Sequence, residues 1–296
     1  MRGVILNRLL LAMALTCVLA MPAWAARGHA RAHAPDTTTE VAAAHLNLKS
    51  SSVLVLDQKD GRALYGKNTE AVVPIASITK LMTAMVVLDA ELPLEDHITI
   101  GDADVDELKH TRSRLKVGTT LRRDEMLRVA LMASENRAAA SLGRNYPGGI
   151  RAFVAAMNQK AVELGMWHSR FVDSTGLSSD NVSTASDLAK MVQAAYGYSH
   201  IREYTTGTSY AVLGPNGRRI EYRNSNGLVK SSQWRIGLSK TGYISEAGRC
   251  LVMLAWIATK PVVIVLLDSW GTQTRIGDAN RIKKWIESQL AHQPPG

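Results

Sequence analysis

Segments that favour β-strands lie at both ends of this sequence, and a long helix-forming stretch separates them. Residues 53–56 and 62–65 are short runs around Lys59-Asp60-Gly61, a pattern typical of a β-hairpin. Three longer strands are predicted near the other end, at residues 235–243, 250–258 and 262–267. The last two are almost wholly apolar, so we expect them to be buried on both faces. The strands can form one sheet only if both ends of the chain contribute to it.

The stretch between these strands, residues 96–200, has mostly helical periodicity. Helices are predicted near residues 123–133, 137–143, 149–164 and 185–196, and a second hairpin is predicted at residues 210–213 and 219–223. A final amphipathic helix carries apolar residues from Ile276 to Leu290, which favours packing on the core, although Lys283-Lys284-Trp285 leaves attachment to a membrane surface as an alternative.

The order of these elements predicts the fold class. We expect an α/β (α+β) protein with a mainly antiparallel five-stranded sheet, flanked by helices, and a helical subdomain inserted at about residues 68–205. An insertion of this kind lies beside the sheet and leaves a cleft between the two parts. Functional sites commonly form in such clefts.

The first residues have the features of a secretory signal. Arginines near the start precede an apolar stretch, and Ala23-Trp24-Ala25 supplies small residues for cleavage, so we predict a signal peptide at residues 1–25. A flexible lead-in is predicted at residues 26–47 and a catalytic domain at residues 48–292. Removal of the signal leaves Cys250 as the only cysteine, which excludes an intramolecular disulfide. Export predicts a periplasmic protein.

The chain has a formal net charge of +9, which suits a polyanionic surface such as murein or anionic lipid. The sequence contains no nucleic-acid motif, and the export signal argues against such a partner. No segment is long enough for a comfortable membrane span, so we expect at most peripheral membrane association.

A short polar interruption, Ser77-Ile78-Thr79-Lys80, lies at the start of the helical run 78–88, just after Pro74. Ser77 and Lys80 are three residues apart, so they share a helix face and the amine is expected to lie against the hydroxyl. A serine nucleophile needs a neighbour that accepts its proton, and a neutral lysine can do this. Burial under apolar neighbours and a second nearby cation would lower the pKa of Lys80.

One such pair is weak evidence, because Ser113-Arg114-Leu115-Lys116 has the same spacing, and a capping serine followed by a surface lysine is common. Two further motifs strengthen the interpretation. Ser134-Glu135-Asn136 follows an amphipathic helix, and Lys240-Thr241-Gly242 lies on a predicted strand. In this order, the three motifs form the set found in penicillin-binding proteins and class A β-lactamases.

The chain resembles the low-molecular-mass penicillin-binding proteins of the D-alanyl-D-alanine carboxypeptidase and endopeptidase family. The resemblance runs from about residue 51 to residue 290 and includes Asp173-Ser174-Thr175-Gly176-Leu177 and Lys240-Thr241-Gly242-Tyr243. The stretch Ser134-Glu135-Asn136-Arg137-Ala138-Ala139 is most similar to the endopeptidase branch. The resemblance implies a serine β-lactamase/DD-peptidase-like fold.

The resemblance also implies catalytic roles. Ser77 is expected to be the acyl-forming nucleophile, Lys80 its general base, and Ser134 a relay that passes a proton towards the leaving amine. Ser179-Asp180-Asn181 is a second Ser-x-Asn sequence, but it lies in a loop rich in turn-forming residues. We therefore favour Ser134 and its neighbour Asn136.

Five residues are expected to bind substrate. By resemblance, Asn136 holds the substrate's peptide amide, and Lys240 and Thr241 bind the carboxylate beyond the scissile bond. Gly242 permits close approach of the substrate backbone. The backbone N–H groups of the nucleophile and Tyr243 are expected to form an oxyanion hole. No metal ion or organic cofactor is expected.

Several functions are compatible with these motifs. We predict a D-alanyl-D-alanine endopeptidase that cleaves D-alanyl to diaminopimelyl cross-links in peptidoglycan and is inhibited covalently by β-lactams. The alternatives are a carboxypeptidase that removes terminal D-Ala, a serine β-lactamase, and a non-catalytic wall-binding protein. A class A β-lactamase needs a loop glutamate for deacylation, and the only glutamate at residues 143–185 is Glu163, on a predicted helix.

Overall fold

The computed structural model describes residues 46–292, so the predicted signal peptide and almost all of the predicted lead-in lie outside the described residues. Within this range the chain forms seven α-helices and eleven strands. The helices are α1 (Thr79–Asp89), α2 (Arg123–Ala133), α3 (Asn136–Arg144), α4 (Gly149–Glu163), α5 (Ala185–Tyr196), α6 (Ser199–Thr206) and α7 (Thr274–Ala291). The strands are β1 (Ser50–Asp57), β2 (Ala63–Lys67), β3 (Val73–Pro74), β4 (His97–Thr99), β5 (Thr120–Arg122), β6 (Val182–Ser183), β7 (Ser209–Leu213), β8 (Arg219–Arg223), β9 (Arg235–Ile244), β10 (Gly248–Ile257) and β11 (Lys260–Ser269).

The main sheet has five strands in the order β2-β1-β11-β10-β9. Every neighbouring pair is antiparallel, and β1 from the beginning of the chain pairs with β11 from its end, with Val55 opposite Ile264. This confirms the predicted five-stranded sheet built from both ends of the chain. The arrangement also fixes β9 as an edge strand, next to the helical insertion.

The central strands are buried on both faces, as their apolar sequences predict. On β10, Leu251 and Met253 face one apolar cluster, whereas Val252 and Leu254 face another, and all four are fully buried. Successive side chains of a strand point to opposite faces, so two separate cores require this continuous apolar run. Helix α7 covers one face of the sheet, and α5 of the insertion covers the other.

Helix α1 lies at the centre of the helical insertion. Nine of its eleven residues are buried, and the helix packs against α2, α3, α4 and α5. A helix that is apolar on nearly all sides can be accommodated only inside a core. Because α1 carries Lys80, this burial removes the lysine amine from bulk water.

Some elements were not predicted because they are too short to show a period. Helix α6 has eight residues, and β3 and β6 form a pair of only two residues each, with Pro74 opposite Val182. Ser77 lies in a short 3₁₀ turn, Ala76–Ile78, immediately before α1 rather than within its first turn. The β3–β6 pair connects this turn to the loop that precedes β6.

Helix α7 packs its apolar face on the sheet, because Ala279, Ile282 and Ile286 are all buried there. Within residues 46–292, no helix has the length and apolar character needed to cross a membrane. Asp278 is also fully buried on this helix and accepts hydrogen bonds from the backbone N–H groups of Lys49 and Ser50. The Asp278 carboxylate thereby ties the start of β1 to α7.

We expect Asp278→Ala to lower the free energy of unfolding by about 3 kcal/mol, because the buried backbone N–H of Ser50 and the neighbouring N–H of Lys49 lose their acceptor. Burial tends to raise the pKa of Asp278, but hydrogen bonds from Ser50 and Lys49 and contact with Arg281 outweigh it and lower the pKa. The stabilisation is therefore fully present above the ordinary carboxyl pKa of about 4 and is lost as the pH falls below it.

Urea denaturation at about pH 7 and about pH 3 measures this effect. Exposed Glu95→Ala is the control and should change the free energy of unfolding by less than about 0.5 kcal/mol. Equal stability of the two variants near pH 7 would show that Asp278 does not connect the two elements.

Candidate active site

Ser77 is positioned by three backbone segments that approach one another closely. Ala76 has a left-handed φ of 47°, which turns the chain sharply before α1. A Cβ atom on Gly176 would lie 2.0 Å from the Ala76 carbonyl oxygen, and one on Gly242 would lie 3.1 Å from the Ser77 nitrogen. Only glycine fits at these positions, so a loop and strand β9 press directly against the turn that carries Ser77.

Lys80 is almost completely buried and makes three polar contacts. Its Nζ lies 2.8 Å from Ser77 Oγ, 2.8 Å from Asn136 Oδ1 and 2.6 Å from the Thr175 carbonyl oxygen. Burial lowers the pKa of Lys80 to about 7, although the negative charges of Asp173 and Glu135 act in the opposite direction. Near neutral pH, a substantial fraction of Lys80 is therefore an uncharged amine.

A hydrogen-bond chain fixes the orientation of the Asn136 amide. The Thr111 hydroxyl donates to Asp106 Oδ2 over 2.6 Å, so its oxygen is free to accept from Asn136 Nδ2 over 2.9 Å. The amide oxygen of Asn136 then faces Lys80. Thr111 was not predicted from the sequence, since it belongs to no motif and lies in a loop.

These orientations determine what a neutral Lys80 can do. The Thr175 carbonyl and the Asn136 amide oxygen can only accept hydrogen bonds, so they take both N–H groups of an uncharged amine. The lone pair of Lys80 is left facing Ser77, whose hydroxyl becomes the donor. This is the arrangement in which an amine accepts a proton from a serine hydroxyl.

Ser134 and Lys240 form a second pair in the cleft. Ser134 ends α2 in a left-handed conformation with φ 59°, and its hydroxyl accepts a hydrogen bond from Lys240 Nζ. Lys240 also donates to the Thr241 carbonyl over 2.8 Å. Burial lowers the pKa of Lys240 well below its ordinary value, and the positive charges of Lys80 and Arg275 lower it further.

The end of β9 lines the cleft with the remaining predicted residues. The Thr241 hydroxyl donates to Ser225 Oγ over 2.7 Å, and Gly242 faces the turn of Ser77. Tyr243 is largely exposed, with the guanidinium of Arg249 4.6 Å from its ring centroid. The structure thus brings all eight predicted site residues to one cleft of about 200 Å³, with Lys80 and Lys240 buried at its base.

The cleft also contains residues that sequence motifs did not indicate. Besides Thr111 they include Leu177, Ser225 and Arg275. Arg275 lies in the first turn of α7 and donates to the carbonyl oxygens of Gly242 and Cys250 over 3.1 and 3.3 Å. No carboxylate among residues 46–292 lies within ion-pairing distance of Arg275, so only the partial charges of these carbonyl oxygens offset its positive charge beside the cleft. No sequence signal distinguishes it from other arginines.

The two rims of the cleft are joined by an ion pair between Lys109 of the insertion and Glu246 of the β9–β10 turn. The hydrogen bond from Lys109 lowers the pKa of Glu246 to about 2. Lys109 lies two residues before Thr111, and Glu246 lies two residues after Ile244, both of which line the cleft. The pair therefore joins the two segments that carry these lining residues.

The two competing motifs have structural roles. Ser113 Oγ donates to the Glu135 carboxylate over 2.6 Å, and Lys116 is exposed. Asn181 is fully buried, and its side-chain oxygen accepts from the Val172 nitrogen over 2.7 Å. It thereby supports the loop whose Thr175 carbonyl contacts Lys80. Among residues 46–292, no group of three or more His, Cys, Asp or Glu side chains is placed to hold a metal ion.

We expect Gly176→Ala to lower the free energy of unfolding by at least about 3 kcal/mol, because its Cβ meets a backbone carbonyl and its φ of +78° is left-handed. Gly118 has a similar φ of +83°, and a Cβ atom there would meet no other atom within 4 Å, so Gly118→Ala isolates the conformational cost, about 1 kcal/mol. Thermal and urea unfolding of both variants measures the difference. If both variants lost the same free energy of unfolding, the loop of Gly176 would not be packed closely on Ala76.

The chain matches the D-alanyl-D-alanine carboxypeptidase family over residues 37–271. It is 49% identical over 243 residues to the D-alanyl-D-alanine endopeptidase of Pseudomonas aeruginosa, covering 81% of this chain and 78% of that protein. It is 44% identical over 260 residues to the Escherichia coli D-alanyl-D-alanine endopeptidase, covering 86% of this chain and 84% of that protein.

The fold is similar to solved structures of the same class. The Streptomyces K15 DD-transpeptidase superimposes with a TM-score of 0.75 at 28% identity, covering 80% of this chain and 97% of that one. The expected serine DD-peptidase fold and the expected family are confirmed. The chain belongs to the D-alanyl-D-alanine carboxypeptidase family of serine peptidases.

Proposed function

We propose that this serine DD-peptidase is an endopeptidase that hydrolyses D-alanyl to diaminopimelyl cross-links in peptidoglycan, through an acyl-enzyme on Ser77. One observation carries the mechanism: Lys80 is buried, which lowers its pKa to about 7, and its hydrogen bonds to Asn136 and Thr175 leave only Ser77 as a partner for its lone pair. Two relatives, which are 49% and 44% identical to this chain, are named endopeptidases, and this supports the preference for cross-links.

Acylation begins when Lys80 takes the Ser77 proton and Ser77 Oγ attacks the D-alanyl carbonyl carbon. The backbone N–H groups of Ser77 and Tyr243 stabilise the resulting oxyanion. The C–N bond then breaks as Ser134 donates its hydroxyl proton to the leaving amine. The proton that Lys80 took from Ser77 replaces the one lost by Ser134, so Lys80 is again neutral. In the second step a water molecule attacks the ester and neutral Lys80 accepts its proton. Lys80 returns this proton to Ser77 Oγ as the ester C–O bond breaks, which restores the Ser77 hydroxyl and releases the product carboxylate.

The carboxylate beyond the scissile bond is bound at the end of the cleft that holds Lys240, Thr241 and Arg275. Lys240 and Thr241 lie on β9 beside the nucleophile, and the guanidinium of Arg275 enters from α7. A planar guanidinium suits bidentate binding of a carboxylate. We assign Arg275 to this role together with the two β9 residues, while Asn136 binds the substrate amide.

Both cross-links and terminal D-Ala-D-Ala bonds place a D-centre carboxylate after the scissile amide. The carboxylate-binding residues therefore serve either substrate, and carboxypeptidase activity is the second candidate, favoured by the 27% identical carboxypeptidase of Bacillus subtilis. β-Lactams acylate Ser77 because they present a carboxylate and a strained amide in the same arrangement. The export signal predicted at the start of the sequence supports a periplasmic location for the reaction.

A β-lactamase function receives no support from the arrangement of acidic residues. Glu163 lies at the exposed end of α4, 3.7 Å from Lys160. The carboxylates that act on the pKa of Lys80 are those of Glu135 and Asp173. Each accepts a hydrogen bond from the loop that it organises. Neither is free to activate a deacylating water in the way that a class A β-lactamase requires.

We expect the rate of acylation by a labelled penicillin to rise with pH through about 7, because Lys80 is charged below its pKa and neutral above it. Lys80→Met retains the side-chain bulk but has no amine, so acylation should fall at least about 10³-fold at every pH. Stopped-flow fluorescence and mass analysis of the Ser77 adduct measure both effects. A pH-independent rate, or near-normal acylation of the variant, would overturn the base assignment.

Digestion of purified, cross-linked muropeptide dimers tests the substrate. We expect conversion of dimers to monomers without loss of alanine, and no conversion by Ser77→Ala. Mass analysis of the products separates the two candidates, since removal of one alanine from pentapeptides with dimers untouched would establish a carboxypeptidase instead. The Ser77→Ala control also identifies any contaminating hydrolase.

A further inference from the structure

A groove of about 690 Å³ lies between residues 113–116 and the β7–β8 hairpin, outside the catalytic cleft. Its charged lining comprises four cations and one carboxylate, namely Arg114, Lys116, Arg218, Arg219 and Glu221. The carboxylate lies 3.4 Å from the Arg219 guanidinium. The charged side chains therefore give the groove a net positive charge. The rest of its lining, including Gly214, Pro215 and Ile220, is uncharged.

Two of these cations are available for an external ligand. Lys116 and Arg218 are exposed, and within residues 46–292 neither has a carboxylate at ion-pairing distance. Arg114 is held more firmly, because its guanidinium donates to the Glu221 carbonyl and lies 5.6 Å from the Tyr222 ring centroid. Unpaired cations facing one groove attract anions and release them as salt increases.

The groove is joined to the catalytic cleft by one loop and one carboxylate. Thr111 lines the cleft and Ser113 lines the groove, two residues further along the same loop. Glu135, between the cleft residues Ser134 and Asn136, accepts from Ser113 over 2.6 Å and from the Tyr222 hydroxyl over 3.2 Å. The groove therefore lies directly beside the segments that line the catalytic cleft.

We propose that this groove binds carboxylate-bearing stem peptides of the peptidoglycan strand next to the cross-link being cleaved. The inference rests on the proposed function, because it assumes a polymeric substrate with free carboxylates. Guanidinium and ammonium groups bind carboxylates, and the volume is within the range of about 300–1,000 Å³ that accommodates a small ligand or peptide segment. The groove gives the enzyme affinity for the polymer beyond that of the reacting peptide.

The test measures binding separately from catalysis. Lys116→Gln/Arg218→Gln is compared with Lys59→Gln/Arg151→Gln, which removes the same charge from exposed positions elsewhere. All proteins carry Ser77→Ala in the binding assay, so that insoluble, cross-linked peptidoglycan is not digested during co-sedimentation. We expect the groove variant to bind about fivefold more weakly at low salt, with a smaller loss at high salt. The control should bind like the parent.

Two further measurements examine the ligand and the catalytic site. Amidation of the stem carboxylates should weaken parent binding by a similar factor. Acylation by labelled penicillin, measured with Ser77 intact, should be unchanged in both variants. Failure of the parent to acylate would refute the proposed function and leave the binding result interpretable.

Equal binding by the groove and control variants, or undiminished binding to amidated peptidoglycan, would overturn the proposal. Binding of the parent and the groove variant to vesicles that contain anionic phospholipid tests whether the groove faces a membrane. Loss of vesicle binding with retention of peptidoglycan binding would show that the groove faces a membrane instead.

Discussion

The contact between the Lys80 amine and the Ser77 hydroxyl depends on keeping one lysine away from water. In solution, a lysine amine is protonated at neutral pH and cannot serve as a base. Here α1 is buried on nearly all sides, and its first turn places Lys80 under the Thr175 carbonyl and the Asn136 amide. Burial thus lowers the pKa of the amine, and the hydrogen bonds to these two acceptors direct its lone pair towards Ser77.

Burial and the nearby negative charges have opposite effects on the pKa of Lys80. Their balance sets the pH range in which Lys80 can act as a base. Burial favours the neutral form of Lys80, whereas Glu135 and Asp173 favour the charged form. Lys240 has no such compensation, since Lys80 and Arg275 both oppose its charge. A bound carboxylate would relieve this repulsion at Lys240 and Arg275, so the cleft is electrostatically prepared for an anionic group.

The loops around the site are organised by buried or half-buried carboxylates. Asp173 accepts hydrogen bonds from the nitrogens of Thr175 and Gly176, and so shapes the loop above Lys80. Asp106 does the same for the loop that carries Thr111, through which it orients the amide of Asn136. The catalytic residues come from well-packed elements, while these carboxylates position the irregular segments between them.

The sequence by itself determined the five-stranded sheet, most of the helices, the family and the pairing of Ser77 with Lys80. These features depend on periodicity, on short motifs and on a spacing of three residues, all of which act locally. Only the tertiary structure distinguished Ser134 from Ser179 by geometry and placed Thr111 and Arg275 in the cleft. Lys80 meets Asn136 and Thr175 across 56 and 95 residues, and Lys240 meets Ser134 across 106. Such contacts arise when the insertion packs against the sheet, and no local pattern of side chains encodes them.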